Sequence, residues 1–199
     1  MQIASDDVRR LREKTGVGIM DCKKALAETN NDFNKAVEYL RKKGIEVATK
    51  RSGRHASQGM VGSYIHLGGK IGVLVEVNCE SDFVAKSDQF LAFVKDLSMH
   101  IAAANPSWVV PEEVPADILA REKEILGEQA LKSGKPEKIV EKIVEGKLKK
   151  FYSEQCLMEQ AYVKDPDKTI RQLLDELMAK TGEKCVIRRF VRYQVGEEQ

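Results

Sequence analysis

The residues with the strongest intrinsic chemistry are the cysteines Cys22, Cys79, Cys156 and Cys185 and the histidines His55, His66 and His100. A zinc or dithiol site needs such ligands a few residues apart. No CxxC pair occurs, and the histidines make no ligand spacing with the thiols. No metal site is therefore expected, and the thiols read as buried and free. Catalysis would need a convergent set of titratable groups. The chain carries no glycine-rich phosphate loop, no HExxH and no nucleophile–base pair, so neither an enzyme nor a cofactor is expected.

A different chemistry is concentrated between Ile71 and Lys86. Val73, Leu74, Val75 and Val77 form the β-branched apolar run of a buried strand. Ser81 and Asp82 follow, both good helix N-caps. Phe90, Leu91, Val94, Leu97 and Ile101 then recur at helical spacing. A strand is thus expected to turn sharply into a long helix, with Phe83 on the corner beside the Asp82 carboxylate. A bulky aromatic on a rigid corner suits insertion into a partner. The competing readings are that Asp82 only caps the helix and that Phe83 packs internally with Phe90.

The elements that must hold this corner can be taken in order. Ser5 is expected to cap a helix carrying Val8 and Leu11, which stops at Thr15-Gly16. Val17 to Met20 reads as a small apolar loop, packed in the bundle or offered to a partner. A second helix carries Cys22, Ala25 and Leu26. Asn31 or Asp32 caps a third, with Phe33, Ala36, Val37 and Leu40 inward, which Gly44 ends or loosens. Residues 1–45 thus read as a three-helix module, with so small a core that it gains from a partner. Residues 46–59 read as a basic flexible linker with Lys50, Arg51, Arg54 and His55. No aromatics interleave with those charges, which argues against an RNA-binding arm.

Residues 60–199 read as the core domain. Met60–Leu67 and Ile71–Val77 form a hairpin across a two-residue Gly68-Gly69 turn. Asn105-Pro106 stops the long helix. Helices follow over about Asp117–Lys132 and, after the turn Ser133–Pro136, over a segment whose last turn holds Lys147, Lys149 and Lys150. Asp165-Pro166-Asp167 marks a break, and Thr169–Lys180 is a helix. Cys185–Val195 alternates, with Arg188, Phe190 and Arg192 on one face and Ile187, Val191, Tyr193 and Val195 on the other. The arginines read as a solvated or interface face. The expected class is α+β: a helical module, then a three-stranded antiparallel sheet packed against helices.

Composition narrows the function. The 33 basic and 31 acidic residues give a formal charge of +2, which provides no global field for nucleic acid. No apolar run approaches the roughly 20 residues that span a bilayer. The N-terminus lacks the layout of a signal peptide. A cytoplasmic protein with no nucleic-acid or membrane partner is expected.

Four segments carry a resemblance. Leu11-Arg-Glu-Lys-Thr-Gly-Val-Gly-Ile-Met-Asp-Cys-Lys-Lys-Ala-Leu26 resembles the opening of bacterial translation elongation factor Ts. Val75-Glu-Val-Asn-Cys-Glu-Ser-Asp-Phe-Val-Ala-Lys86 is similar to that family's core signature. Val144–Phe151 and Val191–Glu197 resemble its closing segments, in the same order. The resemblance implies a guanine-nucleotide exchange factor that binds elongation factor Tu, both GDP-bound and nucleotide-free. It implies a ubiquitin-associated-like fold for the first module, docking on the GTPase domain through Arg12, Val17, Ile19 and Met20. Ser81, Asp82, Phe83 and Val84 would disturb the bound Mg2+ and loosen GDP; the family has Thr where Ser81 stands. With a single core subdomain and no heptad stretch, the chain looks like the short form of the family. That form implies a homodimer in a 2:2 complex with Tu.

Overall fold

The computed structural model describes residues 3–51, 53–133 and 136–197. Apolar spacing and local capping produce the first three helices, α1 (Ser5–Thr15), α2 (Ile19–Glu28) and α3 (Phe33–Arg51). Gly16 ends α1 at φ 68°, and its N–H donates to the Arg12 carbonyl at 2.7 Å. Ser5 is the first helical residue rather than the cap; Ala4 holds the cap position without a side-chain bond. Asp32 caps α3, its Oδ1 accepting the Lys35 N–H at 3.0 Å. Val8, Leu11, Cys22, Ala25, Leu26, Ala36 and Leu40 close into one buried cluster.

Gly44 does not end α3. The helix continues to Arg51, so residues 46–51 of the expected linker are helical; Ser52 lies outside the described residues. Gly44 is buried where α3 meets α8 (Ile170–Thr181), and a Cβ there would stand 3.3 Å from the Ala179 Cβ. The missing side chain permits a close crossing, which offsets the poor helix propensity of glycine, about 1 kcal/mol below alanine.

The sheet consists of β1 (Gln58–Ile65), β2 (Ile71–Cys79) and β5 (Cys185–Gln194), antiparallel in the order β1-β2-β5. Val73, Val75 and Val77 are buried while Leu74 is exposed, as a strand with one covered face requires. The hairpin connection is longer than two residues. The His66 N–H closes on the Ile71 carbonyl at 2.9 Å, and Gly68 and Gly69 both take positive φ between them. The alternation of β5 slips by one residue: Arg188 and Arg189 are both exposed, so buried Ile187 does not share a face with exposed Val191 and Tyr193.

The long helix expected after the corner is two helices, α4 (Asp82–Ala85) and α5 (Asp88–Ala104). Ser87, together with Lys86, separates them. The Ser87 Oγ donates to the Val84 carbonyl at 2.8 Å and accepts the Phe90 N–H at 3.4 Å, closing one helix and starting the next. Helices α6 (Ala116–Lys132) and α7 (Glu137–Gln155) pack together. Pro136 is the cap of α7, not its first residue, and Gly134 and Lys135 of the expected turn lie outside the described residues. Because α7 runs to Gln155, Lys147, Lys149 and Lys150 precede its last turn. The expected break at Asp165 belongs to a hairpin of β3 (Ala161–Tyr162) and β4 (Asp165–Thr169).

The chain divides into two compact units, each drawn from three segments. The first comprises Met1–Met60, Val77–Phe93 and Gln172–Val186, the second Val61–Glu76, Val94–Arg171 and Ile187–Gln199. No helix among the described residues is long and apolar enough to cross a membrane.

Candidate functional site

The corner is built by the hydrogen bonds of Ser81. Its backbone is extended, at φ −126° and ψ 158°, and its Oγ accepts the Val84 N–H at 3.4 Å, so Ser81 is the N-cap of α4. Asp82 is not the cap. Its Oδ2 accepts from Lys86 Nζ at 2.8 Å, and that ammonium holds the Asp82 carboxyl below its usual range. Ala85 is buried and anchors the turn. Phe83 is 84% exposed, whereas Phe90 is fully buried, so the two rings do not share a core. An exposed apolar ring thus stands next to a residue held in a carboxylate–ammonium pair.

Two residues to which the sequence alone assigns no role hold this corner. Glu183 lies 102 positions from Ser81, and its carboxylate accepts both the Ser81 N–H at 2.9 Å and the Ser81 Oγ–H at 2.6 Å. The return contact is made by Glu80, whose Oε1 accepts the Lys184 N–H at 2.6 Å and whose Oε2 pairs with Arg54 at 3.1 Å. Lys184 Nζ also donates to the Arg54 carbonyl at 2.8 Å, so this part of the expected linker is tied to the corner. Residues 80–81 and 183–184 clasp each other reciprocally. A glutamate after a helix-ending glycine carries no local signal for such a role.

The second set of sequence candidates lies on α1 and α2. Arg12 is exposed on α1. Val17 is half-buried against the bundle core, so for this residue the internal contact is real. Ile19 and Met20 fall in the first turn of α2 rather than in a loop, and are 54% and 73% exposed. Both sets belong to the first unit.

The remaining candidates are engaged elsewhere. Arg189 pairs with Glu76 at 2.7 Å. The Arg192 side chain is nearly buried, paired with Glu197 at 3.1 Å and donating to the Ala102 carbonyl at 3.4 Å, and so is not a solvated charge. All four cysteines are free and buried. Burial pushes the Cys156 thiol up to about 11 and the Cys185 thiol up to about 12, which disfavours the reactive thiolate. Among the described residues no group of three or more His, Cys, Asp or Glu could hold a metal.

Phe83 thus stands exposed on a braced turn, and the whole chain matches proteins of one kind. The family model for elongation factor TS matches residues 10–197. The chain is 61% identical over 197 residues to elongation factor Ts of Geobacter sulfurreducens, covering 99% of this chain and 91% of that protein. It is 60% identical to that of Moorella thermoacetica, covering 98% and 96%. With that of Syntrophus aciditrophicus the identity is 57%, covering 100% and 98%. A match of this extent, running through both the bundle and the corner, shows that the chain belongs to the elongation factor Ts family.

Proposed function

We propose that this protein is a cytoplasmic guanine-nucleotide exchange factor that binds elongation factor Tu–GDP and promotes GDP release so that GTP can bind, without catalysing a chemical reaction. The family membership supports the partner and the process. The observation that carries the mechanism is Phe83, 84% exposed on a turn fixed at both ends. Arg12, Val17, Ile19 and Met20 dock the bundle on the GTPase domain, and Ser81, Asp82, Phe83 and Val84 reach the Mg2+ and phosphate region.

Exchange is a coupling between two ligands. A factor that weakens GDP by some ratio is itself weakened by GDP in the same ratio. It must therefore prefer a Tu conformation in which the nucleotide site is deformed. Phe83 supplies that preference by filling a pocket open only there. Burying a phenylalanine is worth roughly 1.5–3 kcal/mol, and a tenfold change in affinity about 1.4 kcal/mol. One ring thus accounts for one to two decades, and the bundle contacts supply more.

The protein acts as a homodimer in a 2:2 complex with Tu. Val61, Ile65, Leu74, Val191 and Tyr193 are exposed, opposite the face that buries Val73 and Val75. Such an apolar sheet face fits a second copy of the chain. No nucleic acid or membrane takes part.

The test is release of a labelled GDP from elongation factor Tu, with the wild type and Phe83→Ala. A rate constant at saturation lower by about tenfold is expected, one ring being worth one to two decades. Undiminished stimulation would remove the wedge mechanism.

A further inference from the structure

On the reading that the 81–84 corner acts on elongation factor Tu, we propose that Glu183 is the positioning residue of that corner. The Phe83 ring is 84% exposed, so the direction of its Cα–Cβ bond, and hence of the wedge, is set by the backbone of α4. That helix has only four residues, Asp82–Ala85. A single turn is not self-sustaining, because fixing its dihedrals is offset by hardly any hydrogen bonds. Its direction must be imposed from outside.

Glu183 imposes it through both groups of Ser81. One carboxylate oxygen holds the Ser81 N–H at 2.9 Å, which fixes the backbone entering the turn. The other takes the hydroxyl proton at 2.6 Å. A serine hydroxyl has one proton and two lone pairs. With its proton committed to Glu183, the oxygen presents a lone pair to the Val84 N–H at 3.4 Å and acts as the cap. A carboxylate acceptor makes this a charge-assisted pair of bonds, about twice as strong as neutral ones. Glu183 is itself restrained, since its N–H reaches Thr181 Oγ1 at 3.4 Å and the next residue is held by Glu80 at 2.6 Å.

The experiment compares the wild-type chain with Glu183→Ala, Glu183→Gln, Phe83→Ala and the Glu183→Ala/Phe83→Ala double variant. Two readouts are taken: amide hydrogen exchange of the free protein, and GDP release from elongation factor Tu as a function of factor concentration. In Glu183→Ala the amides of residues 81–85 are expected to exchange about tenfold faster, with those of Ala25 and Leu26 in the bundle unchanged. The maximal release rate falls about tenfold while the half-saturating concentration stays within about twofold, since docking on the bundle precedes the wedge. In the Phe83→Ala background the same substitution costs less than about twofold, because Glu183 acts through that ring. Glu183→Gln keeps one acceptor and recovers part of both effects. Unchanged exchange at 81–85, or an equal loss of rate in both backgrounds, overturns the positioning role. Wild-type release by Phe83→Ala removes instead the reading of the corner, while the amide exchange still decides what Glu183 holds. Should Glu183→Ala not fold, Ser81→Ala removes the hydroxyl from the other side, with the same expectations and Ser81→Thr as its rescue.

Discussion

The buried ring of His100 and the side-chain amide of Gln160 are joined at 2.9 Å, Nε2 to Oε1. The amide nitrogen of Gln160 donates in turn to the carbonyl of Glu154 at 2.7 Å and of Ala104 at 3.4 Å, in the last turns of α7 and α5. One side chain thus serves two helix ends whose carbonyls lack intrahelical partners. Gln160→Leu, similar in size, is expected to destabilise the protein by about 1–3 kcal/mol, the penalty of a buried unpaired donor. Urea unfolding measures it, and a loss under about 0.5 kcal/mol would place the site among ordinary surface positions.

The same network defines a pH dependence. The Val163 N–H donates to His100 Nδ1 at 3.3 Å, so the proton of the neutral ring lies on Nε2 and is donated to Gln160. Burial holds the His100 pKa below its ordinary value of 6.5, against a smaller opposing effect of Gln160. Because the folded pKa is depressed, the unfolded chain takes up the proton first as pH falls. The stability from neutral His100 is complete above the unfolded pKa and is lost as pH falls from about 6.5 through the folded pKa. His100→Leu lacks this titration, so its deficit against the wild type should shrink between about pH 7 and pH 5. Thermal melts of both proteins across that range check it; a constant difference contradicts it.

Phe83 and Phe90 should separate binding from folding. Phe83 is exposed, and its replacement by alanine should change stability by less than about 0.5 kcal/mol. Phe90 has no exposed surface, and Phe90→Ala should cost about 3–5 kcal/mol. Equilibrium unfolding of the two variants gives both numbers directly. Comparable losses would mean that the Phe83 ring is packed in solution.

The apolar sheet face should hold the homodimer. Leu74 is exposed on the central strand and Val191 on its neighbour β5. Leu74→Lys or Val191→Lys places a charge where a second copy would bury it, at a cost of several kcal/mol. Analytical ultracentrifugation is expected to show a dimer for the wild type and a monomer for either variant, with unchanged circular dichroism. A dimer that survives both substitutions lies elsewhere.

Much of the fold was legible because its signals are local. The bundle core of Val8, Leu11, Leu26 and Leu40 follows from helical spacing, and the αL cap of α1 from a single glycine. The alternation around Val73, Val75 and Val77 marks the central strand without any tertiary information. Readings failed where a contact overrode the local preference. Gly44 looks like a helix end and is instead a close approach to Ala179. Asp82 looks like a cap, but the Ser81 hydroxyl, oriented by Glu183, takes that position. The hairpin β3–β4 was missed because its strands are short and one contains Pro166.

The chain alone determined the three-helix bundle, the main strands, the family and the residues of the corner, because periodicity, capping and motif are properties of neighbouring residues. Only the folded structure decided how that corner is held. Ser81 and Glu183 are 102 positions apart, and no pattern within either segment encodes their meeting. Hydrogen-bond partners are chosen by proximity in space, which exists only once the helices and strands have packed.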